Sequence, residues 1–180
     1  GFFVTKLSLL LEVSPLSCPV VDRSGACAYS GTTPHKPRED AMALDTKKIL
    51  ALLNEGLEME YASHIQYVTQ AAITKGPYAE GLIARFEEIA ADEAEHAKII
   101  RQRIAALGGT PMTKVGQIQV HKDSLKAVEI NLKYERDTVL FYQKLLNLIP
   151  PDEPILYEAI EHILEDSQEH VEELERLVGK

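Results

Sequence analysis

The chain has 180 residues, of which 45% are hydrophobic, enough for one domain with a real core and too few to expect two. Nineteen Lys and Arg against twenty-eight Asp and Glu give a formal charge of −9, and no basic block is present to neutralise a phosphate backbone, so nucleic acid is not expected as a partner. The only two cysteines, Cys18 and Cys27, precede the periodic part of the chain, which excludes a disulfide framework there, and no apolar run approaches the roughly 18 to 20 residues of a membrane span. The expectation is a soluble, cytoplasmic protein.

Residues 1–41 begin with a short apolar stretch and continue through Ser14-Pro15, Ser24-Gly25, Ser30-Gly31 and Lys36-Pro37 without helical periodicity. They read as an unstructured extension or translated upstream sequence, with Met42 as the natural start. Residues 42–180 read as one all-α domain. Asp45 or Thr46 caps a first helix running to about Thr74, with Leu53, Leu57, Glu60, His64 and Tyr67 on one stripe, and Lys75-Gly76-Pro77 closes it. A second helix, about Tyr78 to Leu107, carries Phe86, Ile89, Glu93, His96, Ala97, Ile100 and Ile104 on one face before Gly108-Gly109-Thr110-Pro111. The third, about Lys122 to Leu148, aligns Leu125, Glu129, Leu132 and Val139. The fourth, about Pro154 to Val178, aligns Ile155, Ala159, Ile163, Ser167, His170, Leu174 and Leu177.

Loop lengths then predict topology. The first and third links are short and join antiparallel neighbours. The segment from Gly108 to His121 can span on the order of 45 Å when extended, enough to return along a helix of about 42 Å. One long crossover between helices 2 and 3 is the ferritin-like arrangement of four helices.

A carboxylate inside an apolar stripe is costly unless something compensates it. The pattern does this on three helices, at Glu60, Glu93 and Glu129. His96 follows Glu93 by three, which puts both on one face, and His170 falls on the stripe of the fourth helix. Carboxylates with imidazoles suit iron or manganese, with zinc as an alternative. His64, one turn past Glu60, is a candidate ligand or an outer hydrogen-bond partner. His162, Asp166 and His170 form a ladder that suits a metal or an exposed polar edge, and Glu135 and Arg136 carry no assigned role.

From about Leu44 to Leu177 the chain resembles the bacterioferritin and rubrerythrin superfamily of di-iron carboxylate proteins. Leu52-Leu53-Asn54, Leu57, Glu60 and Gln66-Tyr67 are similar to the first helix of bacterioferritins, and Asp92-Glu93-Ala94-Glu95-His96-Ala97 with Leu107-Gly108-Gly109-Thr110-Pro111 to the second. The resemblance implies two iron ions. Glu60 with His96 would serve one, Glu129 with His170 the other, Glu93 would bridge them, and Tyr67 beside the site would take the catalytic role. The implied activity is oxidation of Fe(II) by dioxygen or peroxide, as a ferroxidase. Two other readings are a non-catalytic metal-binding bundle with a degraded site and a di-iron oxidase or peroxidase of rubrerythrin type.

The sequence departs from the family at three points. Ser167 stands where a second bridging Glu is expected three residues before His170, which predicts two unequal metal sites. Ala94 replaces the haem-ligating Met that follows the second-helix Glu, so haem is not expected. No fifth helix follows the fourth before Lys180, so the expected assembly is a homodimer or small homo-oligomer rather than a cage.

Overall fold

A computed structural model describes residues 44–179. The expectations for residues 1–41 and for a start at Met42 lie outside them. Four helices make up the fold, α1 Thr46–Ile73, α2 Ala79–Ala106, α3 Ser124–Leu146 and α4 Pro154–Leu177. Two of them begin with a carboxylate cap that satisfies a free backbone N–H of the first turn: Asp45 accepts from Lys48 N at 3.1 Å and Asp123 from Lys126 N at 2.9 Å. Pro154 opens α4, where its missing N–H costs nothing.

α1 packs on α2 and α3 on α4, two antiparallel hairpins, which meet along an α1/α3 seam and an α2/α4 seam. Between the hairpins runs the predicted crossover, extended and parallel to α1. Side chains of α1 hold it: Asn54 Oδ1 accepts from Met112 N at 2.8 Å, Gln66 Oε1 from Gln119 N at 2.7 Å and Gln70 Oε1 from His121 N at 2.9 Å. Gly116 N donates to the Glu58 carbonyl at 3.2 Å, and a Cβ at Gly116 would sit 3.2 Å from that same oxygen. Glycine is what lets this strap lie on the helix.

The apolar core comes in two clusters. One joins Ile49, Leu53, Leu57, Ile100, Ile104, Leu145, Leu156 and Ile160, and the other Tyr67, Phe86, Ile89, Val128, Leu132, Val171 and Leu174. Each large aliphatic side chain so buried contributes roughly 1.5–3 kcal/mol. Between the clusters, at mid-height in the bundle, lie Glu60, Glu93, His96, Glu135 and His170, all at most 2% exposed. The apolar ends stabilise the bundle that carries this polar middle.

On α3 and α4 the predicted stripes hold at Leu132 and Val139 and at Ile163, Ser167, His170 and Leu174, and depart from the buried face chiefly toward the N-termini of both helices. On α3 the buried stripe is Val128, Leu132, Glu135, Val139 and Tyr142, alternating steps of four and three, while Leu125 is 55% exposed. On α4 the stripe starts at Leu156 and Ile160 instead of Ile155.

Candidate metal centre

Glu60 comes from α1, Glu93 and His96 from α2, Glu135 from α3 and His170 from α4. They form two triads that share one residue: Glu60, Glu93 and His96, and Glu93, Glu135 and His170. Within each triad one donor atom per residue lies within 4.8 Å of the others. Glu93 is central because its two oxygens face different histidines, Oε2 at 3.7 Å from His96 Nδ1 and Oε1 at 3.4 Å from His170 Nδ1. Glu60 Oε2 lies 3.5 Å from His96 Nδ1, and Glu135 Oε2 lies 3.8 Å from His170 Nδ1.

The sequence expectation for Glu129 is corrected by this geometry. Glu129 is 43% exposed and paired with Lys126 at 3.0 Å on the surface. Glu135 stands in the core in its place. The error followed from anchoring the α3 stripe on Leu125, which belongs to the exposed end of the helix. Glu135 carries a signal of its own, since it stands two turns before Tyr142 as Glu60 stands two turns before Tyr67.

The outward atoms of the ligand set are held by neighbours from the opposite hairpin. Tyr67 donates to Glu135 Oε1 at 2.7 Å across the α1/α3 seam, and Tyr142 donates a short hydrogen bond to Glu60 Oε1 in the reverse direction. Across the α2/α4 seam, Asp166 Oδ2 lies 3.0 Å from His96 Nε2, and Asp92 Oδ2 lies 3.3 Å from His170 Nε2. A carboxylate can only accept, so Nε2 of each ring carries the proton and Nδ1 is the nitrogen turned to the centre. Gly56 makes room for the Tyr142–Glu60 contact, because a Cβ there would stand 3.0 Å from the Tyr142 hydroxyl.

Five inward atoms then remain without a hydrogen-bond partner among the described residues: Glu60 Oε2, Glu93 Oε1, His96 Nδ1, Glu135 Oε2 and His170 Nδ1. Orphaned buried polar atoms are rare because each costs about 1–3 kcal/mol. Five of them, three carboxylate oxygens and two imidazole nitrogens, turned to the two triads make a donor set that suits divalent transition-metal ions.

Without metal the cluster holds protons instead. Burial, reinforced by Glu93, pushes Glu60 up to about 8. Burial pulls both imidazoles down, but the facing carboxylates overcome it: Glu60 and Glu93 raise His96 to about 12, and Glu135 and Glu93 raise His170 to about 10. Burial and Glu135 push Glu93 up, and contacts with Glu60, His170 and His96 more than reverse this, holding it below the usual carboxylate range. Tyr67 and Tyr142 lie well above a free phenol, through burial and the carboxylate each one touches.

The remaining predicted residues have other tasks. His64 Nδ1 lies 2.8 Å from the Ala90 carbonyl, tying α1 to α2 away from the triads. His162 is 55% exposed and 3.6 Å from Asp166. Arg136 pairs with Glu175 on the surface, not with Glu135. Ser167 is fully buried and donates to the Ile163 carbonyl of its own helix at 2.8 Å. No helix among the described residues is long and apolar enough to cross a membrane.

The family model of the ferritin-like domain matches residues 50–180. A bacterioferritin of Desulfovibrio desulfuricans is 31% identical over 137 residues, covering 74% of either chain. Among solved structures, a ferritin-like diiron-carboxylate protein of Bacillus anthracis superposes with a TM-score of 0.71 at 31% identity, covering 77% of this chain and 100% of that one. The bacterioferritin-related protein of Bacteroides fragilis, described as a dodecameric thioferritin, gives 0.70 at 27% identity, covering 74% of this chain and 85% of its own.

Proposed function

Because this chain belongs to the ferritin-like family, we propose that it takes up two Fe(II) ions between its hairpins and oxidises them with dioxygen or peroxide. Glu60 and His96 would hold one ion, Glu135 and His170 the other, with one oxygen of Glu93 turned to each. The observation that carries this reading is the convergence of five partnerless donor atoms inside the bundle. The iron pair would supply the electrons of the reaction, and the chain would supply position and charge. Asp92 and Asp166 fix the imidazoles with Nδ1 inward, Tyr142 and Tyr67 fix the terminal carboxylates, and the apolar clusters on both sides keep bulk water out. Tyr67, fully buried with its hydroxyl on Glu135, would be the electron donor.

Anaerobic titration with Fe(II) followed by air tests the proposal. Two irons per chain and an Fe(III)–oxo absorption on exposure to air are the expected result. A stoichiometry of zero would refute it. Ser167 supports a second reading, a bundle that binds metal without turnover, since it removes one carboxylate from the centre. Stable two-metal binding with no oxidation beyond the rate in buffer would favour that reading.

A self-assembled oligomer fits this function. The expected dimer or small oligomer stands against the dodecamer described for the Bacteroides fragilis protein. Ile65, Val68, Val115, Ile118 and Val120 are each 36–40% exposed on α1 and its strap, apolar surface suited to a second copy. Light scattering separates two subunits from twelve.

A further inference from the structure

The two hairpins are related residue by residue around the centre, with one exception. Asp92-Glu93-x-x-His96 on α2 corresponds to Asp166-Ser167-x-x-His170 on α4, so Ser167 stands where the counterpart half carries the shared carboxylate. Its hydroxyl is turned back onto Ile163 and offers nothing to either triad.

No other side chain of α4 takes over the task. Asp166 is the nearest acid, and it is engaged with His96 Nε2 at 3.0 Å. Its counterpart Asp92 does the same for His170 in the half that keeps its glutamate, so this is a position of its own and not a displaced bridge. Glu165 and Glu169 are exposed. Glu60, Glu93 and Glu135 therefore bring three negative charges to two divalent cations and leave one positive charge unbalanced in a buried site, which is costly. A bridging carboxylate offers one oxygen to each metal. Its loss would fall on both triads.

We propose, building on the two-metal reading above, that a small monoanion with two oxygens on one carbon, of the acetate, formate or bicarbonate class, binds from solution beside Ser167 and completes the centre opposite Glu93. The chemistry matches what is missing. Beyond Cβ a glutamate is a methylene and a carboxylate, whereas Ser167 carries only a hydroxyl, turned onto Ile163, so the carboxylate is the group that a guest would have to supply. Charge matches too, since one negative charge neutralises the pair.

The test is Co(II) titration of the full chain, free of oxygen and CO2, in chloride medium and then with acetate, formate or bicarbonate at equal ionic strength. Linkage requires that a guest bound only to the metal-loaded protein tighten metal binding as its concentration rises and then dissociates less readily in turn. At saturating guest the apparent Co(II) affinity should rise about tenfold or more, with two metals bound throughout. Acetate methyl protons should relax faster with the Co(II) protein than with the Zn(II) protein. A rise with bicarbonate alone would assign the site to carbonate, and a rise with acetate or formate to carboxylates in general. S167E should bind Co(II) tightly in chloride and gain nothing from any anion, while S167Q, which fills the volume without charge, should bind weakly and also gain nothing. Two Co(II) ions bound with no response to any of these anions, and no relaxation of acetate, would overturn the guest while leaving the two-metal site intact. Fewer than two Co(II) in every medium would overturn the two-metal reading and the guest with it. Should S167E not fold, the wild-type anion titration decides alone.

Discussion

The α1–α2 hairpin and the α3–α4 hairpin are two versions of one device. Each offers a terminal glutamate, Glu60 or Glu135, with a tyrosine two turns later, Tyr67 or Tyr142, and each offers an Asp one turn before a histidine, Asp92 before His96 or Asp166 before His170. The reach of these side chains is crossed. Each tyrosine serves the other hairpin's glutamate and each aspartate the other hairpin's histidine. The α1–α2 hairpin holds one whole triad, Glu60, Glu93 and His96, while the triad of Glu135 and His170 is completed only by Glu93 from the other hairpin, so the centre also links the halves. What differs is Glu93 against Ser167. The side chains that orient the two triads are duplicated, and the shared carboxylate is not.

The harshest way to break the comparison is at Glu93. It is the sole residue in both triads, so Glu93→Ala should abolish binding of both metals, whereas Glu60→Ala and Glu135→Ala should each remove one. Calorimetry with Co(II) reads this as stoichiometries of zero, one and one. Undiminished binding in Glu93→Ala would dismantle the shared-ligand geometry.

Acidity gives the next largest effect, and its sign follows from the raised groups. Glu60 at about 8, His170 at about 10 and His96 at about 12 hold protons at neutral pH that a metal must displace. Metal binding should release protons into weak buffer, and affinity should climb from pH 6 to 8. For the metal-free protein, each of these groups has a folded pKa above its unfolded value. The stability they contribute is complete below about 4.5 for Glu60 and about 6.5 for the histidines, and is lost as pH rises through the folded values. Its Tm should fall from about pH 7 to 10 while the loaded protein stays nearly flat. A metal-free protein that gained stability over that range would contradict the assigned protonation.

Asp92 and Asp166 test the symmetry with a milder change. Removing the charge that orients a ligand histidine typically costs 10–100-fold in metal affinity. Asp92→Asn and Asp166→Asn should therefore weaken binding by similar factors, each chiefly at the triad of the histidine it touches. If Asp166→Asn cost both metals equally and far more than Asp92→Asn, Asp166 would be reaching into the centre, and the solution anion beside Ser167 would be unnecessary.

How far the sequence reveals this site depends on the helix. On α1 and α2 the apolar periodicity is long, the caps and breakers are clear, and Glu60, Glu93 and His96 lie on buried stripes that the pattern marks directly. On α3 the exposed Leu125 imitates a core residue, and a stripe drawn through it lands on Glu129 instead of Glu135. Leu125 ends up at the rim because its helix begins there, beside Tyr78 and Leu177, where apolar side chains line a surface groove. Periodicity fixes a face only to within a residue. The repeated glutamate-to-tyrosine spacing would have settled the register, because it is a constraint between hairpins and not a property of one helix. Asp92 and Asp166 leave no mark in hydrophobic patterning. They sit at the edge of the α2/α4 seam, and only the packing of one hairpin against the other shows which nitrogen each one meets.

The smallest effect, and the sharpest question, concerns the tyrosines. Family resemblance singles out Tyr67, yet Tyr142 holds the mirrored contact and is equally buried. Phenylalanine at either position would deprive a buried carboxylate of one hydrogen bond, a loss of about 1–3 kcal/mol, so both variants should lower Tm by several degrees and still bind two metals. Their surroundings are not the same. The Tyr67 ring lies tilted against Phe86 at 5.8 Å, inside the apolar cluster, while Tyr142 lies edge-on to Phe141 at 5.2 Å and is closely approached by Gly56. If Tyr67 donates an electron, Tyr67→Phe should slow Fe(II) oxidation severalfold and remove a tyrosyl radical signal from samples frozen during turnover, and Tyr142→Phe should do neither. If both variants slow oxidation equally and no radical signal depends on either, the two tyrosines serve only to position Glu135 and Glu60, and the hairpins are alike in everything but Glu93 and Ser167.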